Sequence, residues 1–379
     1  MRIALCTDTF LPIVDGVGRV VYHYADLLAC RGHQVYVLCP QYNAGYRGQY
    51  PFEIVDYAGV PVPGRAQYAA GIPAIDRHYH NRLKSIELDL IHAHSPGPSG
   101  LHGLHLAKKR RVPLIGTFHS KYYEDFYRAT HSKKLAGLGT HFVAGFYAKC
   151  REVWAVSRSA GETLFSYGYT GSIVHMENGT ELCEIPTDPG ALLMPLRLPE
   201  KPMLLYVGQI DNKKNLPMVL DACALAARQA DFILVLAGQG QDSAALTKQA
   251  HRLGLADRVF FIGHVNDAAL LRALYARAVL FVFPSLYDTA GLVVREATMM
   301  GTASVVVHGS AAAESVIHRV NGYHCQNHAQ SLSDALIAAL QNPPQAKALG
   351  MAARRTIPIL WENVIDKVIN RYSRLVYEN

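Results

Sequence analysis

Short apolar runs recur along the chain, most leading into a polar or glycine-bearing loop and then a stretch with helical spacing. Ile3 to Cys6, Val35 to Cys39, Leu90 to Ala93, Val112 to Thr117 and Val153 to Val156 read as a first set of strands. Arg19 to Arg31, Arg77 to Ile86, Gly97 to Arg110 and Lys134 to Lys149 read as the helices among them. Strand, loop, helix and strand in close succession form a parallel βαβ unit. Residues 41–75, rich in Tyr, Gly and Pro, read as irregular, and the proline-rich stretch Asp188 to Lys201 reads as a linker. Beyond it the alternation restarts, with strands predicted at Leu204 to Val207, Phe232 to Ala237, Val259 to Ile262, Leu280 to Phe283 and Ala303 to Val307. Apolar residues at 361, 364, 365, 368, 372 and 375 make Trp361 to Tyr377 a final amphipathic helix. The outline is α/β, with two domains at 1–190 and 200–355 and a terminal helix within 356–379.

Composition agrees with that outline. Half of the 379 residues are apolar and 18% are charged, which is material for two cores and not for a disordered chain. No apolar run approaches the roughly 18 residues of a membrane span, and MRIALCTDTF reads as a strand, not a signal peptide. Seven cysteines, scattered and without CxxC spacing, read as buried free thiols in a reducing cytoplasm. The net charge of +7 is uneven: residues 101–150 hold nine Lys/Arg against two Asp/Glu, an excess equal to that of the whole chain. Such a window suits a phospholipid surface, nucleic acid or a polyanionic substrate, or it is an ordinary solvated face. No nucleic-acid recognition motif accompanies it, so nucleic acid is not the expected partner.

The chemistry concentrates in FVFPSLYDTAGLVVREATMMG, residues 281–301, where a strand delivers a loop to a helix N-terminus. The first helical amides have no intrahelical partner and suit phosphate. Asp288 and Glu296, eight residues apart, add carboxylates that suit neutral hydroxyls. Phosphate and hydroxyls together describe a nucleotide sugar. Other strand exits carry compatible groups. Val14-Asp15-Gly16-Val17-Gly18 is a loop whose glycines let backbone approach a ligand, although it lacks GxGxxG. His119 follows a strand in GTFHSK and suits a sugar hydroxyl or developing charge. Lys214, in QIDNKKN, suits a diphosphate, and Gly238 closes a further strand in LAGQG. No histidine pair has metal spacing with a supporting carboxylate, so no metal is expected.

Taken together, YVGQIDNKKN, VLAGQG, FIGHV, PSLYDTAGLVVREA and AAAESVIHRVNGY resemble, in order and spacing, the retaining family 4 glycosyltransferases. DTFLPIVDGVGRVV, LDLIHAHSP, GTFHS, AVSRSA and MENGTE extend the resemblance over nearly the whole chain. It implies the GT-B fold: two Rossmann-like domains facing a central cleft, with the C-terminal helix crossing back to the first domain. It also implies roles. Asp288 contacts sugar hydroxyls, Gly291 and Leu292 hold phosphate, and Glu296 grips the ribose. Lys214 falls at the diphosphate lysine, Gly16, with Val17, at the phosphate loop, and His119 in the sugar pocket. Gln209, Gly238, Val265 and Ala290 complete the implied substrate-binding set. Three positions depart from the family pattern. Asp288 is one methylene shorter than the usual glutamate, Gln209 replaces an arginine, and Ala290 replaces a phenylalanine.

The resemblance implies a hexosyltransferase using a nucleoside-diphosphate sugar, UDP-glucose-like in first preference, with no added cofactor. GTFHSKYYEDFY is similar to the corresponding run of bacterial diacylglycerol glucosyltransferases. The expected acceptor is therefore a membrane glycolipid precursor such as diacylglycerol, and the expected location is cytoplasmic, in peripheral contact with the inner face of the plasma membrane. A GDP-mannose-dependent enzyme, a soluble or polysaccharide acceptor, and a GT-B sugar-nucleotide epimerase are the alternatives.

Overall fold

Leu90–Ala93, Leu280–Phe283 and Ser304–Val307 are buried at every position. Strands of that kind need cover on both faces, which parallel sheets obtain from the helices that return each strand to the same edge. The computed structural model describes residues 1–11, 15–40, 49–62 and 65–378. It divides into two units, Met1–Gly179 with Trp361–Asn379, and Thr180–Leu360.

The first unit begins β1 (Arg2–Cys6), α1 (Gly16–Cys30), β2 (Gln34–Pro40) and β3 (Glu53–Tyr57), followed by the hairpin β4 (Gly59–Val62) and β5 (Arg65–Gly71). It continues with α2 (Arg77–Lys84), β6 (Leu90–Ala93), α3 (Pro98–Arg110) and β7 (Leu114–Phe118). Next come α4 (Tyr123–Thr130), α5 (Lys133–Tyr147), β8 (Glu152–Ala155), α6 (Arg158–Ser166) and β9 (Val174–His175). The sheet order is β3-β2-β1-β6-β7-β8-β9, seven strands, all parallel. Within 41–75, read as irregular, 49–62 and 65–75 contain β3, which extends this sheet, and the β4–β5 hairpin; 41–48 lie outside the described residues.

The second unit holds α7 (Pro189–Leu193), β10 (Met203–Val207), α8 (Leu216–Ala226), β11 (Ile233–Ala237), α9 (Ser243–Arg252) and β12 (Val259–Gly263). It goes on with α10 (Ala268–Arg277), β13 (Leu280–Phe283), α11 (Leu292–Met299), β14 (Ser304–Val307) and β15 (Tyr323–Cys325), and ends in α12 (Ala329–Gln341) and α13 (Pro343–Thr356). Its six strands run β12-β11-β10-β13-β14-β15, again parallel. The units divide at Gly179/Thr180, ahead of the stretch read as a linker. That stretch starts α7: Asp188 caps it through the Ala191 amide at 2.9 Å, and Pro189 takes the first helical turn, where its missing N–H costs nothing.

The last helix, α14 (Trp361–Tyr377), belongs to the first unit. Trp361, Val364, Ile365, Val368 and Tyr372 are buried, at the spacing the sequence predicts. Trp361 stacks on His23 at 4.7 Å and Tyr372 on Trp154 at 5.7 Å between ring centroids. Arg371 clamps Glu152 with donors at 2.6 and 3.0 Å.

The basic window 101–150 is divided by this topology. Lys108 to Arg111 close α3 just before β7, and Lys149 precedes β8, so these five sit at the N-terminal edge of the sheet, while Arg128 lies in α4. Lys121 follows β7, and Lys133 and Lys134 open α5. Among the described residues no helix is long and apolar enough to cross a membrane.

Candidate active site

In the second unit β10 lies beside β13, where the strand order reverses. Sheets of this type hold ligands beyond the carboxyl ends of the strands at that reversal. The segment after β10 carries Lys214 and the segment after β13 carries Asp288. Lys214 Nζ donates to both carboxylate oxygens of Asp288, at 2.7 and 2.8 Å, although the residues are 74 positions apart. Their side chains are only 13% and 25% exposed, so the pair is partly screened from water. Tyr287, just before the aspartate, lies under Lys213, whose ammonium is 4.2 Å from the ring centroid.

The loop then enters α11. Ala290 is half-buried, and Gly291 caps the helix at φ +57. A Cβ at Gly291 would lie 3.1 Å from Ala312, so both the backbone conformation and the crowding favour glycine. Leu292 begins the helix, and one turn on Glu296 accepts a hydrogen bond from the buried Tyr275 hydroxyl at 3.0 Å. Neighbouring strand exits pack tightly: a Cβ on Gly238, after β11, would meet the Gly208 carbonyl oxygen, after β10, at 1.8 Å. Gln209 is exposed and its carbonyl accepts from the Tyr206 hydroxyl at 2.7 Å. Val265, two residues past β12, is half-buried against the core. Lys214, Asp288, Gly291, Leu292, Gln209 and Gly238 thus sit at the carboxyl-end edge of this sheet, and Lys214 and Asp288 touch.

The first unit repeats the arrangement. Its order reverses between β1 and β6. Asp8, after β1, accepts from the Ser99 amide at 2.9 Å and from the Ser95 and Ser99 hydroxyls at 2.5 Å, tying the β1 exit to the start of α3. His119, after β7, has Nε2 3.0 Å from Nδ1 of His94, after β6, with the rings stacked at 5.2 Å. His92 links Thr117 Oγ1 at 2.6 Å to the Tyr372 hydroxyl at 2.5 Å. Gly16 and Val17 open α1, which Asp15 caps through the Gly18 amide at 2.6 Å. Val14 of that loop lies outside the described residues.

Burial holds all three histidines below the usual imidazole range, His119 at about 3. They are neutral at pH 7, so the His94–His119 contact is one N–H against one lone pair. A depressed histidine pKa means that the unfolded chain binds more protons between the folded pKa and about 6.5. Folding stability from this cluster is complete above about pH 7 and declines as pH falls below 6.5, by up to about 1.4 kcal/mol per pH unit per histidine. Urea titrations from pH 8 to 5 test this; a midpoint unchanged between pH 7 and 5 would contradict it.

Residues 14–182 match the model of glycosyltransferase family 4, and residues 195–356 that of glycosyl transferases group 1. The chain is a family 4 glycosyltransferase. It is 29% identical over 326 residues to an alpha-monoglucosyldiacylglycerol synthase of Streptococcus pneumoniae, covering 82% of this chain and 71% of that one. It is 25% identical over 397 residues to a GDP-mannose-dependent alpha-mannosyltransferase of Mycolicibacterium smegmatis, covering 99% and 98%. The crystal structure of Anabaena HepE in complex with UDP superposes with a TM-score of 0.80 at 18% identity, covering 98% of this chain and 100% of that one. The fold is GT-B.

In this glycosyltransferase several residues join the candidate site that the motif reading left out. Asp8, two residues past β1, and His94, directly after β6, follow the strands that flank the reversal; they lie in DTFLPIVDGVGRVV and LDLIHAHSP, which carry the resemblance without singling either residue out. Tyr275 reaches Glu296 from α10, 21 residues away, and has no motif to mark it. Arg295, which could have replaced charge missing at Gln209, is buried at 6% exposure.

Proposed function

We propose that this glycosyltransferase moves a hexosyl group, with retained anomeric configuration, from a nucleoside-diphosphate sugar to an acceptor hydroxyl. The favoured donor is UDP-glucose and the favoured acceptor is a membrane glycolipid precursor such as diacylglycerol. The observation that carries the donor half is the Lys214–Asp288 pair at the strand reversal, beside the start of α11. Lys214 and the amides of Gly291 and Leu292 take the diphosphate. Asp288 takes sugar hydroxyls and Glu296, held by Tyr275, takes the ribose. Gln209, Gly238, Val265 and Ala290 shape the surroundings. The resemblance assigns His119 of the first unit to the sugar pocket, and Gly16 and Val17 of that unit offer helix-terminal backbone to phosphate. The Streptococcus relative, named for a glucosyldiacylglycerol product, and the UDP complex of HepE support the choice of lipid and of UDP.

The reaction breaks the bond from the anomeric carbon to the diphosphate oxygen and forms a bond from that carbon to the acceptor oxygen. The acceptor proton passes to the departing diphosphate. Charge grows on the diphosphate as the bond lengthens, so a fixed ammonium stabilises the transition state more than the ground state. No carboxylate is needed as nucleophile in this front-face route. Peripheral contact with an anionic membrane at the cytoplasmic face follows from the lipid acceptor.

A second reading, a GDP-mannose-dependent transferase, is favoured by the Mycolicibacterium relative, which aligns with nearly the whole chain. The test is nucleoside-diphosphate release across UDP-glucose, UDP-galactose and GDP-mannose, each with diacylglycerol micelles, followed by mass and anomeric NMR analysis of extracted lipid. The expected result is UDP release with UDP-glucose and an α-hexosyl lipid. GDP release with a mannosylated product selects the second reading. Turnover of donor without acceptor, giving an epimerised nucleotide sugar, removes both.

A further inference from the structure

α5 buries Ala136, Thr140, Val143, Ala144, Phe146 and Tyr147 on one side. Its other side presents Leu135, Leu138 and Phe142, 52%, 67% and 55% exposed, at helical spacing that forms one stripe. α4, packed against it, buries none of its residues and adds Tyr127, 41% exposed. A contiguous apolar face of this kind marks an interaction surface, since scattered single residues would be ordinary. The helix contains no acidic residue, and Lys133 and Lys134 lie exposed at its start. On the flank of α5 opens a cavity of about 520 Å³, lined by Lys121, Glu124, Thr140, His141, Ser166 and Tyr167 among others.

We propose that the exposed face of the α4–α5 hairpin docks on an anionic phospholipid bilayer, with Leu135, Leu138 and Phe142 entering the acyl boundary. An interfacial helix places apolar side chains below lysines at headgroup level, and the stripe with Lys133 and Lys134 has that arrangement. The polar cavity beside it stands where headgroup oxygens would lie. A second copy of the chain is a poorer occupant, because it would bring two lysine pairs of like sign together. The proposal rests on the lipid-acceptor reading above. It also differs from a simple basic patch: Lys108 to Arg111, the densest basic run, sit at the other end of the sheet.

The test is flotation with vesicles of phosphatidylcholine and phosphatidylglycerol, without donor. The wild type is expected to float with anionic vesicles and far less with pure phosphatidylcholine, because each lysine near the surface contributes roughly fivefold to partitioning. Leu138→Glu with Phe142→Glu should lower partitioning by at least about tenfold at an unchanged thermal midpoint, both side chains being exposed. Phe142→Trp should shift its emission to the blue on binding. Lys133→Glu with Lys134→Glu should weaken flotation more than Lys108→Glu with Lys109→Glu. The proposal is overturned by undiminished flotation of the Leu138/Phe142 variant, by equal losses from the two lysine pairs, by self-association through the stripe, or by a wild type that does not float. A protein that floats through this face but glycosylates no lipid retains the proposal and removes the acceptor reading.

Discussion

Replacing Lys214 with alanine is expected to lower kcat by about 10²- to 10³-fold, the usual effect of deleting one preorganised stabiliser of developing negative charge. The geometry sharpens the expectation. Lys214 Nζ sits 2.7 and 2.8 Å from Asp288 in a partly shielded pair, so its loss also leaves a carboxylate without its cation near incoming phosphate. Gln209, where the family pattern has an arginine, supplies no charge to compensate. Donor KM should therefore rise with the fall in kcat, while acceptor KM stays nearly constant. Adding Asp288→Asn to Lys214→Ala should restore part of the donor affinity but not turnover. Steady-state kinetics on the two single variants and the double variant provide the test. Parallel losses in donor and acceptor affinity with unchanged kcat would remove Lys214 from the chemistry.

Tyr372→Ala is expected to destabilise the first unit by about 3–5 kcal/mol, the range for deleting a buried aromatic ring. Tyr372 is fully buried, stacks on Trp154 at 5.7 Å and shares a hydrogen bond with His92 at 2.5 Å. Its removal leaves a cavity and a buried imidazole nitrogen without a partner. Tyr372→Phe keeps the ring and loses only the hydroxyl, for about 1–3 kcal/mol. Chemical denaturation checks both. Should the alanine variant unfold at the wild-type midpoint, the terminal helix contributes far less to the core than its burial implies.

Much of the fold was legible because both sheets are parallel and covered. Runs such as Leu204 to Val207 and Leu280 to Phe283 are apolar throughout, and loops separate them cleanly. What escaped has physical reasons. β3, EIVDY, carries two acids at an outer strand, and β15, YHC, is three residues long, too short for any period. The stretch 188–201 was misread by counting prolines, when Pro189 occupies a helix start and promotes structure. In the site, the loop types and their residues could be read from strand exits and motifs, but the contacts could not. Lys214 meets Asp288 because β10 neighbours β13, and strand order is a tertiary property that spacing does not encode. His94, although inside LDLIHAHSP, is not singled out for another reason: the chain has 18 histidines, and its buried contact with His119 is what distinguishes it.

The return of α14 to the first unit also orders events in time. Tyr372 joins His92 across 280 residues, so the part of the chain made first on the ribosome lacks five buried side chains until the last part emerges. The second unit, continuous from Thr180 to Leu360, has all its own residues before then. Synthesis therefore finishes the units in reverse of their order in the gene. The first, with β6 and β7 in its sheet, closes last, at the loop-closure cost of a connection that long.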